Sequence, residues 1–168
     1  QDDDKGVDSG STYLFELPGH RVEFMAGVNG SLTGEVNQKI LDTNDSLAVT
    51  AVADNGYQFS SWSVDSGYSF DWIAESASAT DNPLLITDVN SDLAFTANFD
   101  PGIYEVNFYT GTNGDLIGDT AQSITYGLST TDVTANADSG YYFHSWSVDS
   151  PYIFDWTVDS TSAKDNPL

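Results

Sequence analysis

The sequence predicts an all-β protein made of two tandem copies of one module with an 84-residue period. Three observations predict it. Residues 57–84 and 141–168 are identical at 19 of 28 positions without a gap. Apolar and aromatic residues alternate with period two in several short runs, and no useful length shows the 3.6-residue period of a helix. The acids are mostly Asp, only five being Glu, and the short Asp side chain bonds its local backbone in turns.

The offset also holds upstream. Val22 and Phe24 fall on Val106 and Phe108, Asn29-Gly30 on Asn113-Gly114, Leu32 and Gly34 on Leu116 and Gly118, and residues 49–51 on 133–135. Within one copy, residues 22–26 read as a short apolar strand ended by Asn29-Gly30, a dipeptide suited to hairpin turns. Residues 47–53 read as a Val/Thr-rich strand, turned by Asp54-Asn55-Gly56 into an aromatic strand over 57–64. Tyr68, Phe70 and Trp72 share one face of an extended segment, with Ser69, Asp71 and Ile73 on the other. Asn82-Pro83 breaks the pattern, and Leu93, Phe95, Ala97 and Phe99 alternate as a closing strand. Only residues 74–80 leave room for a short helical turn, and three Ser/Thr residues there argue against one.

Charge narrows the function classes. Twenty-six acidic residues against four basic ones give a formal net charge of −22. Such a surface repels phosphate backbones and anionic lipid, which argues against nucleic-acid partners and membrane binding. No apolar run approaches the roughly 18 residues of a membrane span, so membrane insertion is not expected. No signal peptide is present, and Gln1 would suit the first residue of a mature secreted chain. With no Cys, disulfides, thiolate metal sites and Cys nucleophiles are excluded.

Gly56, Tyr57, Phe59, Trp62, Asn82, Pro83, Leu84, Ala97 and Phe99, matched by Gly140, Tyr141, Phe143, Trp146, Asn166, Pro167 and Leu168, carry a resemblance. The order is an apolar strand, an Asn-Gly turn, a Val/Thr strand, Gly-Tyr-x-Phe-x-x-Trp, Asn-Pro-Leu and a closing strand ending in Ala-x-Phe. It resembles the divergent internalin-B-type B repeat of bacterial surface proteins, over nearly the whole of each copy. The sequence departs from that pattern in a loop, residues 65–81, that holds Tyr68, Phe70 and Trp72. The resemblance implies β-grasp-like or β-sandwich-like modules strung in tandem in adhesins, stalks and other extracellular or cell-surface proteins.

Catalysis finds no support in the pattern. The two His residues, His20 and His144, do not share a repeat position, and no nucleophile or metal constellation accompanies them. The protein is therefore expected not to be an enzyme and to need no organic cofactor. Tyr57, Phe59 and Trp62, with Tyr141, Phe143 and Trp146, are expected as core anchors, because they occupy the most regular motif of the repeat. Tyr68, Phe70 and Trp72, with Tyr152, Phe154 and Trp156, have two readings. They bury themselves against their own module, or they form a face that stacks on a glycan or host protein through loops 65–81 and 149–165. Asp88, Asn90 and Asp92 place oxygens at alternate positions and are candidate calcium ligands. Leu93 and Phe99 stand where an EF-hand needs Gly and Glu, so this is no EF-hand. Asn29 and Asn44 lie in glycosylation sequons.

The chain divides into an N-terminal strand segment (1–20), a first module (21–100) and a second module (101–168), with Pro101-Gly102 at the junction. The first module runs on past Leu84 as far as Asp100, whereas the second reaches the matching Leu168 and is expected to lack its closing strand. In the phase of the repeat Asp4 meets Asp88, Asp8 meets Asp92, Thr12 meets Thr96 and Phe15 meets Phe99. Tyr13, Phe15 and Leu17 alternate as a half-buried strand does. They are expected to form an assembly strand that completes the second module of a neighbouring chain, giving a head-to-tail homopolymer. Two alternatives stay open: the segment closes a preceding module of a longer array, or it folds back on its own chain.

The charge sets one expectation independent of fold. Self-repulsion across −22 charges weakens as ions screen it, so the melting temperature rises with added salt. A thermal melt indifferent to both sodium chloride and calcium chloride would contradict this.

Overall fold

A computed structural model describes residues 18–149 and 162–168. All regular elements among them are strands: β1 (His20–Ala26), β2 (Gly30–Thr33), β3 (Asn37–Ile40), β4 (Thr50–Ala53), β5 (Tyr57–Val64), β6 (Leu93–Pro101), β7 (Ile103–Asn107), β8 (Gly114–Ile117), β9 (Ala121–Thr125) and β10 (Thr134–Ala137). Backbone contacts divide the described residues into two units, the first formed by 18–54 with 59–100 and the second by 55–58 with 101–149 and 162–168.

In the first unit β3, β1, β6 and β5 form one sheet in that order. β1 runs antiparallel to β3, with Val22 opposite Gln38, and parallel to β6, with Val22 opposite Leu93 and Phe24 opposite Phe95. β6 is central, and its sequence is what a central strand requires. Leu93, Phe95, Ala97 and Phe99 are buried at alternate positions, and small Ala94 is buried between them. A separate pair, β2 with β4, sets Leu32 opposite Ala51.

The Asn29-Gly30 turn differs from the expected hairpin. Asn29 does take a positive φ of 68°, but β1 and β2 lie in different sheets, so the turn is a corner between them. The physical reason is packing: the ring of Phe99 lies against Gly30, where any Cβ would collide with it. Residues 68–72 also differ from expectation, forming turn and coil with no strand. β3 carries no periodic signal in the sequence. What marks it is one buried polar residue, Gln38, which donates to the carbonyls of Glu35 and Leu47 at 2.8 and 3.0 Å and accepts the Leu47 amide at 2.7 Å. Only a primary amide offers donor and acceptor together for that role.

In the second unit β7 pairs antiparallel with β9, and β8 with β10. Gln122 repeats the Gln38 bonds on Asp119 and Thr131, at 2.8, 3.0 and 2.7 Å. Replacing Gln38 by Ala leaves the Leu47 amide and carbonyl without their partner and is expected to cost the first unit about 1–3 kcal/mol. Chemical denaturation of the Gln38→Ala protein checks it, and an unchanged midpoint would refute it.

Candidate functional site

The aromatic core of the first unit converges on β6. Phe24 stacks on Phe95 at 5.6 Å and meets Trp62 edge-on at 5.8 Å. Trp62 is buried, and its indole Nε1 donates to the Asp81 carbonyl at 2.8 Å. Phe59 lies 5.7 Å from Trp62 and 6.2 Å from Phe99. Phe59 and Tyr57 are half-buried rather than enclosed.

Loop 65–81 closes over the same strand. Phe70 and Trp72 lie 5.3 and 5.6 Å from Phe95 and 4.8 Å from each other. Both rings are thus engaged with their own module's core, and Tyr68 is half-buried. The loop is shaped by Asp71, whose Oδ1 accepts the Ile73 amide at 3.0 Å, a local bond of the kind that favours Asp in turns. Tyr152, Phe154 and Trp156 lie outside the described residues.

In the acidic segment Asp92 Oδ1 accepts the Arg21 amide at 2.8 Å, and the Asp88 amide donates to Asp45 Oδ1 at 3.1 Å. Among the described residues no three His, Cys, Asp or Glu side chains gather as a metal centre.

Among the described residues the second unit presents the same frame without the central strand. Trp146 donates from its backbone amide to Ala163 at 2.7 Å and from Nε1 to Asp165 at 2.9 Å, as Trp62 does to Ala79 and Asp81. Asn166 grips both backbone groups of Ala135 at 2.8 and 2.9 Å, as Asn82 grips those of Ala51. Val133 and Leu168 exchange two amide bonds of 3.0 Å, matching Val49 and Leu84. Phe108 meets Trp146 at 5.8 Å and Phe143 meets it at 5.5 Å, repeating the rings of the first unit.

What differs lies between these parts. Among the described residues β7 has β9 on one edge and no strand on the other, where β1 has β6. Residues 141–148, the counterpart of β5, take no strand pairing. Burial falls accordingly: Val106, Phe108 and Trp146 are half-buried where Val22, Phe24 and Trp62 are enclosed. Tyr141, expected as a core anchor, is 58% exposed, because the segment it opens has no described strand beside it to cover it.

The model of the divergent InlB B-repeat domain matches residues 20–102 and again 104–165. The chain belongs to this family. Both matched segments are divergent InlB B-repeats, so the doubled pattern read in the sequence is a doubled domain. No curated protein and no solved structure matches the chain.

The two B-repeats should respond unequally to the same change. Trp62→Ala removes an enclosed ring and should cost about 3–5 kcal/mol, whereas Trp146→Ala removes a half-buried one and should cost less. Denaturant titration of each variant checks this ordering; equal losses, or a near-native Trp62→Ala protein, would contradict it.

Proposed function

We propose that this chain is an extracellular structural repeat protein, a subunit of a surface filament or stalk whose copies join head to tail by β-strand complementation. The family is one of bacterial surface repeat domains, which supports an extracellular or cell-surface position and a structural, non-enzymatic role. Among the described residues no helix is long and apolar enough to cross a membrane.

The observation that carries the proposal is that, among the described residues, no strand pairs with the second edge of β7. In the first unit the corresponding edge of β1 belongs to a strand running parallel to it. Parallel neighbours cannot be joined by a tight turn, so such a strand comes from a distant part of a chain or from another chain. An unpaired edge beside a half-buried aromatic row is a ready template for strand addition. Residues 13–17 are the proposed donor. They stand just before β1 in sequence, as β6 stands just before β7, and Tyr13, Phe15 and Leu17 alternate with Leu14 and Glu16. They lie outside the described residues. A contact from the leading segment of one copy to the second unit of the next is heterologous, and repeated it builds a line rather than a closed ring.

Deleting residues 1–17 should abolish polymerisation, seen by light scattering and electron microscopy, while the first unit keeps its cooperative melt. Fusing a second copy of residues 85–100 after Leu168 should also give monomers, because the acceptor then completes itself. A full-length protein that stays monomeric at high concentration would overturn the proposal.

A further inference from the structure

Among the described residues the second unit has a cleft beside aromatic rings as well as an edge of β7 with no strand on it. In the first unit Phe99, near the end of β6, lays its ring on Gly30 and beside Phe59. The ring occupies the space that a side chain at position 30 would need, so Gly30 is the floor of a socket and Phe99 its plug. Gly30 and Phe59, which flank that ring, have counterparts one repeat period on in Gly114 and Phe143, and the paired Leu32 and Ala51 have theirs in Leu116 and Ala135.

These counterparts line a cleft of about 220 Å³, together with Trp146. Among the described residues a Cβ added at Gly114 would first meet the backbone of Asn136 and Ala137, where at Gly30 it would first meet the ring of Phe99. The rings around the cleft are less enclosed than those of the first unit: Phe143 and Trp146 are half-buried, and Tyr142 is 84% exposed. Leaving such rings in water costs free energy that an entering apolar group would recover.

We infer that the Gly114–Phe143–Trp146 cleft is a specificity socket for one aromatic side chain of the incoming strand, and that Phe15 of a second copy is that side chain. This rests on the strand-complementation reading and deepens it by naming the register. The geometry of the first unit defines the ligand as an aromatic residue on an extended strand parallel to β7, positioned as Phe99 is on β6. Phe15 stands one repeat period before Phe99, and it precedes Val22 of β1 as Phe99 precedes Val106 of β7. A strand slipped by one residue would present Leu14 or Glu16 in place of an aromatic ring. The plug therefore fixes register as well as affinity.

The test uses the full chain with p-benzoylphenylalanine in place of Phe15, as an equal mixture of ordinary and nitrogen-15-labelled protein, irradiated after assembly. Mass spectrometry should find crosslinks from position 15 to peptides holding Gly114, Phe143 or Trp146, with ordinary and labelled partners mixed. In parallel, Phe15→Ala should raise the critical concentration for assembly by at least about tenfold, and Phe15→Leu by less. Polymers whose crosslinks map elsewhere on the second unit would overturn the socket while leaving strand addition standing. Crosslinks confined to one copy would overturn the second copy as occupant. If the benzoyl group itself blocks entry, the alanine variant decides: assembly unchanged by Phe15→Ala overturns the socket. An unsubstituted chain that does not assemble overturns both readings.

Discussion

A parallel central strand is the constraint from which the rest of this module follows. β1 and β5 are not neighbours; β6 lies between them and hydrogen-bonds to both. Its side chains do the same work for the core. Phe95 gathers Phe24, Phe70 and Trp72 around it, and Phe99 seals the corner at Gly30. Because the strand is paired on both edges and its apolar residues are enclosed, side chains and backbone groups are satisfied by the same event.

Among the described residues the second unit keeps the frame that surrounds β6 in the first. Bonds made by side chains standing in for backbone hold it. Gln122 bridges two carbonyls and an amide, and Asn166 pairs with Ala135 as an adjacent strand residue would. Each such bond contributes only about 1 kcal/mol net. Their value is positional: they keep β8, β10 and residues 162–168 in the arrangement of the filled unit, with Trp146 held by two bonds at its rim. A pre-formed acceptor loses less conformational freedom on filling than one that must order itself.

Much of this is legible in the sequence, and the parts that are not share a cause. The repeat, the strand character and the alternation of β6 stand out because they rest on local periodicity and self-similarity. The placement of β1 beside β6 in parallel is a long-range pairing between Val22 and Leu93, and no local signal carries it. Asn29-Gly30 announces a turn correctly, but the identity of the strands it joins depends on Phe99, far along the chain. Tyr68, Phe70 and Trp72 imitate a strand because alternate spacing also suits a coil that dips its rings toward one core residue. Gln38 is silent, since a buried glutamine looks like any surface glutamine until its partners are known. Tyr57 and Tyr141 look like core through repetition, but repetition marks a shared position in the fold, and the burial of that position depends on what lies beside it.

The charge gives this arrangement its selectivity. At −22 per chain, two copies repel one another over the Debye length, and contacts that bury little surface cannot overcome that repulsion. Strand addition meets the opposition differently. It supplies a row of backbone hydrogen bonds, which carry no net charge, and an aromatic plug whose gain is proportional to the apolar area removed from water. In the assembly proposed above, repulsion acts mainly as a filter: it suppresses adventitious pairing of exposed edges and favours a contact with both a matching edge and a matching socket. The same logic assigns the acids their distribution. Most of them stand in turns and loops, which suit the short Asp side chain, while the cleft holds Leu116, Ala135, Phe143 and Trp146 beside polar Asp115 and His144.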